Sequence, residues 1–195
     1  MADPERLRRA LAAIDAANAD DPQQIRVRGA LRPKELAHAE LASEWVRALC
    51  AEPSEALLLA ARAHHVRRWQ IPRSDHAEGT AGYHRWRRAL QALHATEVDR
   101  CLAPLGYAPA EIARVQELVC KRGLGRDAEV QVLEDALCLV FLETQLADLA
   151  SRTEPAKLVD ILRKTLRKMS PAAIARAREL PLGAAERALL AQASC

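Results

Sequence analysis

An all-α fold, a single helical bundle, is the class this sequence predicts, and three observations predict it. Half of the residues are apolar, yet the aromatic share amounts to three Trp, two Tyr and one Phe. Leu and Ala recur throughout while β-branched residues are sparse, a mix that favours helices packed on helices. Apolar residues also recur at spacings of three and four, the period of one buried helix face. At 195 residues the chain can bury a substantial core without metals or disulfides to hold it together.

The elements follow in order. Residues 4–18 read as a helix carrying Leu7, Leu11 and Ile14, with Asp3 as N-cap and Pro4 at the first helical position. Residues 19–33, rich in turn formers, read as a surface loop. Pro33 opens a helix in which His38, Leu41, Trp45 and Leu49 share one broad face. The next runs from Pro53 to about Trp69, because Pro72 prevents easy continuation. Residues 73–83 form a loop, whose "GTAGY" segment is expected to be mobile, and a fourth helix runs from His84 to near Pro104 or Gly106. A fifth, from Ala108, has Gly123 as its candidate C-cap. The sixth, residues 127–150, exceeds a single apolar stripe and is therefore predicted to be central. Helices over 154–169, 170–180 and 183–193 complete the chain. The expected organisation is a helical core over 1–150 and a helical extension over 151–195 packed on it.

The formal charge of +3 is too modest to announce a nucleic-acid binder by itself. Five cysteines lie far apart with no CxxC pair, which argues against a structural zinc site and suits a reducing compartment. No secretory leader pattern and no membrane-length apolar run is present, so a cytoplasmic protein without membrane contact is expected. The basic residues of "KLVDILRKTLRKM" read as the solvated exterior of a covering helix, with RNA docking as the alternative.

Chemistry enters where polar residues interrupt packed faces. His38, the doublet His64 and His65, His94 and Asp135 all fall on or near apolar helix surfaces, where an unpartnered polar group costs roughly 1–3 kcal/mol. On a continuous helix the two doublet side chains diverge by about 100°, so one of them can be a surface residue. Separate polar pairings explain these residues one at a time. A single divalent cation explains them together, since imidazoles and a carboxylate from different helices can converge on Mn, Zn, Ni or Fe. Seven arginines lie between positions 62 and 88, among them Arg62, Arg68, Arg73 and Arg87, against only Asp75 and Glu78. Guanidinium forks suit phosphate, so an anionic substrate is expected beside the histidines. Trp45, Trp69, Tyr83 and Trp86 are available to stack on a base or to anchor helix contacts.

The stretches "RPKELAHAELASEWV", "ARAHHVRRWQIPRS", "GYHRWRRALQALHA" and "LEDALCLVFLE" resemble the family named domain of unknown function 4202, over nearly the whole chain. That family is in turn similar to the HD superfamily of helical, metal-dependent enzymes. The resemblance implies an HD-domain-like bundle in which His38 matches the first histidine, the His64–His65 pair the doublet region and Asp135 the last aspartate, with His94 as an extra histidine. One departure stands out: His65 or Val66 occupies the place of the doublet aspartate. This points away from a dinuclear centre and toward a single ion or none.

The expected activity is that of a phosphohydrolase acting on a nucleotide or other phosphate ester. His38, His65, His94 and Asp135 are the expected metal ligands, with His64 as a further candidate. Arg62 and Arg68 would meet the developing charge, and Glu134 or His64 would move a proton. Arg73, Trp69, Tyr83 and Arg87 would contact the substrate. The alternatives are a non-catalytic nucleotide- or RNA-binding protein on a degenerate HD scaffold, and a helical interaction module.

Overall fold

The computed structural model describes residues 3–194 and is largely helical, with one small antiparallel hairpin. Helix α1 (Pro4–Ala19) starts as predicted, the Asp3 carboxylate accepting from the Glu5 and Arg6 amides. The expected loop over 19–33 contains β1 (Gln24–Val27) and β2 (Ala30–Pro33), paired antiparallel. Their two-residue turn places Arg28 and Gly29 at φ 49° and 84°, the left-handed pair that a tight hairpin requires. Two strands of four residues each are too short to raise a period-two signal above the surrounding turn residues.

Helix α2 (Lys34–Leu49) follows Pro33 directly. Helix α3 (Glu55–Ala63) is capped by Ser54 and ends six residues before the predicted boundary. His64 is its C-cap, Val66 donates its amide to the Ala63 carbonyl, and Arg67 turns the chain through φ 52°. The histidine doublet therefore lies in a helix exit and not in mid-helix. Helix α4 (Gly79–Leu102) begins five residues before His84, so the "GTAGY" segment expected to be a loop is its first turn. Gly82 is buried there, and a β-carbon on it would stand 1.7 Å from the Ala77 carbonyl oxygen.

Helix α5 (Pro109–Val119) is capped by Cys120, before the expected Gly123. The reversal is made by Lys121 at φ 56°, with Lys121 N–H donating to Leu118 O and Arg122 N–H to Glu117 O, both at 2.9 Å. Helix α6 (Ala128–Thr144), capped by Asp127, stops at Gln145 and a separate α7 (Leu146–Arg152) follows, where one continuous helix was expected. At that break the Thr144 hydroxyl donates back to the Val140 carbonyl at 2.6 Å. Helices α8 (Pro155–Leu166), α9 (Pro171–Glu179) and α10 (Ala184–Ala193) match the sequence reading closely.

Two apolar clusters share α6. Val130, Leu133, Ala136 and Val140 pack with α1 to α5, while Cys138, Leu139 and Leu142 pack with α7 to α10. This double engagement is why α6 is apolar beyond one stripe. Among the described residues no helix is long and apolar enough to cross a membrane.

Candidate functional site

Where α2, the α3 exit, α6 and α8 meet, a cavity of about 300 Å³ opens, and His38, His64 and His65 line one side of it. Glu35, in the first turn of α2, reaches the same histidines. Its backbone amide donates to the buried Asp21 carboxylate at 2.9 Å, which fixes the start of α2 under the hairpin. One ligand atom each from Glu35, His64 and His65 lies within 4.8 Å of the other two.

Hydrogen bonds fix which nitrogens are free. Carbonyls only accept, so His64 Nδ1–H donates to Ala61 O at 2.9 Å and His94 Nδ1–H to Val66 O at 3.0 Å, leaving each Nε2 with its lone pair. His65 Nδ1 lies 3.2 Å from Glu35 Oε2, and its Nε2 faces Arg68 Nη1 at 3.3 Å. Thr144 spends its proton on Val140 O, so its oxygen accepts from His38 Nε2 at 3.2 Å. The His38 Nδ1 lone pair is then directed at Glu35 Oε2, 3.7 Å away. Two electron-rich atoms so placed call for a proton or a cation between them.

Burial holds the His64 imidazole down at about 3 and that of His94 at about 4. Burial and the neighbouring His64 keep His65 well below its ordinary value as well. Burial would raise the Glu35 carboxyl, but the neighbouring His65 outweighs it, and the carboxyl is held well below the carboxylate range. At neutral pH the cluster thus presents neutral imidazoles and an anionic oxygen. That donor set suits Zn, Mn, Ni or Fe, each of which would draw the donors to about 3–3.6 Å from one another at ordinary metal–ligand distances. The buried Glu/His/His cluster can therefore chelate a divalent metal ion.

The same cavity also has a cationic lining. Glu134, 2 % exposed, is bridged by the ammoniums of Lys121 and Lys168, the latter at 2.8 Å. Burial would raise the Glu134 carboxyl, yet the two lysines pull it down to about 2. Arg68 and Arg87 line the same cavity, with the Arg68 guanidinium 4.8 Å from the centre of the Trp86 ring.

The predicted residues divide accordingly. His38, His64, His65, Arg68, Arg87 and Glu134 face the cavity together. The His94 ring centre lies 5.9 Å from that of His65. Asp135 is buried, but its Oδ1 accepts from Gln131 Nε2 at 2.9 Å and from the Ser170 amide at 2.8 Å, tying α6 to the start of α9. Arg62 pairs with Asp15 of α1, and Arg73 donates to the His76 and Ala77 carbonyls. Trp69 is half-buried in a 3-10 turn, and Tyr83 is exposed beside Trp86. The sequence reading missed Glu35, although it stands one helical turn before His38 in "ELAH". It also missed Lys121, and it placed Lys168 on a solvated exterior where the structure turns it onto Glu134.

A family model described as a domain of unknown function, DUF4202, matches residues 8–190. No curated protein and no solved structure matches the chain. With the match spanning nearly its whole length, the chain belongs to the DUF4202 family.

Proposed function

We propose that this protein is a metal-dependent phosphohydrolase on an HD-like helical scaffold, acting on a nucleotide or other phosphate ester. The observation that carries the proposal is that His64 and His65 of the Glu35–His64–His65 cluster line the same cavity as Arg68, Arg87, Lys121 and Lys168. When bound, the ion supplies a more acidic water and an electrophilic centre. The chain's own residues do the rest. Glu35, His64 and His65 hold the ion, with the His38 lone pair and the free His94 nitrogen beside them. Arg68 and Arg87 orient the phosphoryl oxygens and stabilise the charge that develops on them. Glu134, kept ionised by two ammoniums, balances charge and fixes the lysines in place of the proton-transfer role its position first suggested. In this reading residues 1–150 form the HD-like core, and 151–195 form an extension that contributes Ile161, Thr165 and Lys168 to the cavity.

Metal analysis of protein purified without a histidine tag tests the reading. Near-stoichiometric Mn, Zn, Ni or Fe is expected, lost in His64→Asn and Glu35→Gln, together with turnover of one or more phosphate esters. Protein that takes up none of these ions on reconstitution would overturn it. A second reading, a nucleotide or RNA binder without catalysis, is favoured by one observation: both ring nitrogens of His65 already have protein partners, and a buried Val66 follows it. Binding of a nucleotide without hydrolysis by the metal-loaded protein would select that reading.

A further inference from the structure

Lys121 occupies a backbone conformation that costs a non-glycine residue about 1 kcal/mol, at a helix reversal where glycine is the usual occupant. Gly123 and Gly125 adopt the same region two and four residues later. The lysine is thus not there for the turn. Its side chain runs to Glu134, which Lys168 approaches from the turn after α8. Two ammoniums on one carboxylate leave an excess positive charge. Glu134 is enclosed while Lys121 and Lys168 are 27 % and 48 % exposed, so that excess faces the cavity. Across the whole cavity four cations, Lys121, Lys168, Arg68 and Arg87, stand against two carboxylates, Glu35 and Glu134, a balance of 4 − 2 = +2.

We infer that Lys121 and Lys168, held by Glu134 and joined by Arg68 and Arg87, form an anion seat that takes the dianion of a phosphate monoester without requiring a metal ion. The inference rests on the phosphate-ester reading of the cavity for its ligand class and narrows it from esters in general to monoesters. A diester carries a single negative charge and leaves the balance unmet. The seat is incomplete without the C-terminal helices, because Lys168 arrives from them.

Calorimetric titration of inorganic phosphate into the chelator-treated full chain at pH 8 tests this. One saturable site is expected, with dimethyl phosphate failing to compete. Lys168→Met should weaken phosphate about tenfold or more, the worth of one charge-assisted hydrogen bond. The titration is run without metal and metal uptake is measured on its own, so the two ideas fail separately. Absence of saturable phosphate binding, or unchanged affinity in a folded Lys168→Met protein, would overturn the seat. The Lys168→Met variant decides, since its side chain is half exposed and its removal buries no new charge.

Discussion

Glu134→Gln should reveal how much of the fold rests on the lysine bridge. The carboxyl is depressed from an ordinary 4.5 to about 2, because Lys121 and Lys168 overcome the penalty of burial. A difference of about 2.5 units at 1.36 kcal/mol each amounts to about 3 kcal/mol. The folded value lies below the unfolded one, so this contribution is complete above pH 4.5 and disappears as pH falls toward 2. The glutamine variant should lose about 2–3 kcal/mol at neutral pH, or about 5–10 °C in midpoint for a chain of this size. The loss has a ceiling: burial already lowers Lys121, and with Glu134 gone that ammonium can shed its proton. Urea denaturation at pH 7, 5 and 3 measures both effects. The wild type should weaken across the acid limb by this increment while the variant's acid limb flattens correspondingly. Equal stability at pH 7, or an unchanged acid limb, would refute the assignment of Glu134 as an ionised bridge.

Three further outcomes follow from the same contacts. Asp135→Asn should cost about 1–2 kcal/mol by weakening the tie to Ser170 and Gln131 while metal content stays at the wild-type level; loss of bound metal would instead give Asp135 a ligand role. Gly82→Ala must move the Ala77 carbonyl or α4 by at least about 1.3 Å (3.0 − 1.7), so destabilisation of about 1–3 kcal/mol with altered Trp86 fluorescence is expected, and a neutral melt would sink this. Arg68→Met should weaken phosphate about tenfold, whereas Arg62→Met, which removes the partner of Asp15, should affect the melt and leave phosphate affinity alone.

Helix starts marked by a capping residue or a proline were the legible part of the fold, because their chemistry is local, whereas the starts of α4 and α7 carry no such mark and were missed. Asp3 before Pro4, Pro33 before Lys34 and Pro171 after Ser170 announce their helices in adjacent residues. Helix ends were less so. Nothing between Ala63 and Pro72 stops α3 by propensity; Arg67 takes a left-handed conformation and its guanidinium then pairs with Asp20 and the buried Glu97. That is a tertiary cause invisible to periodicity. The site shows the same division. Asp135 was correctly expected to be buried, but its partners proved to be Gln131 on its own helix and the Ser170 amide. Glu35 carried no burial signal, since an acidic residue in the first turn of a helix ordinarily serves the helix dipole in solvent. Its burial is tertiary: Asp21 folds onto its amide and the rings of His38 and His65 stand against its carboxylate.

The histidine doublet shows why that difference matters chemically. Continued as a helix, residues 64 and 65 would have aimed about 100° apart, and one of them would have been lost to the surface. The helix instead stops at Ala63, and the exit turn brings the two rings to 4.3 Å between centres with Glu35 beside them. The non-helical conformation of Arg67 is thus a condition of the cluster, just as that of Lys121 is a condition of the cationic lining. Both are built where a helix is ended by a charged residue at positive φ, and both charged residues are held there by buried carboxylates, Glu97 and Glu134. The strain at each exit is offset by its own carboxylate pairing, and under the proposed function both exits would serve one ligand.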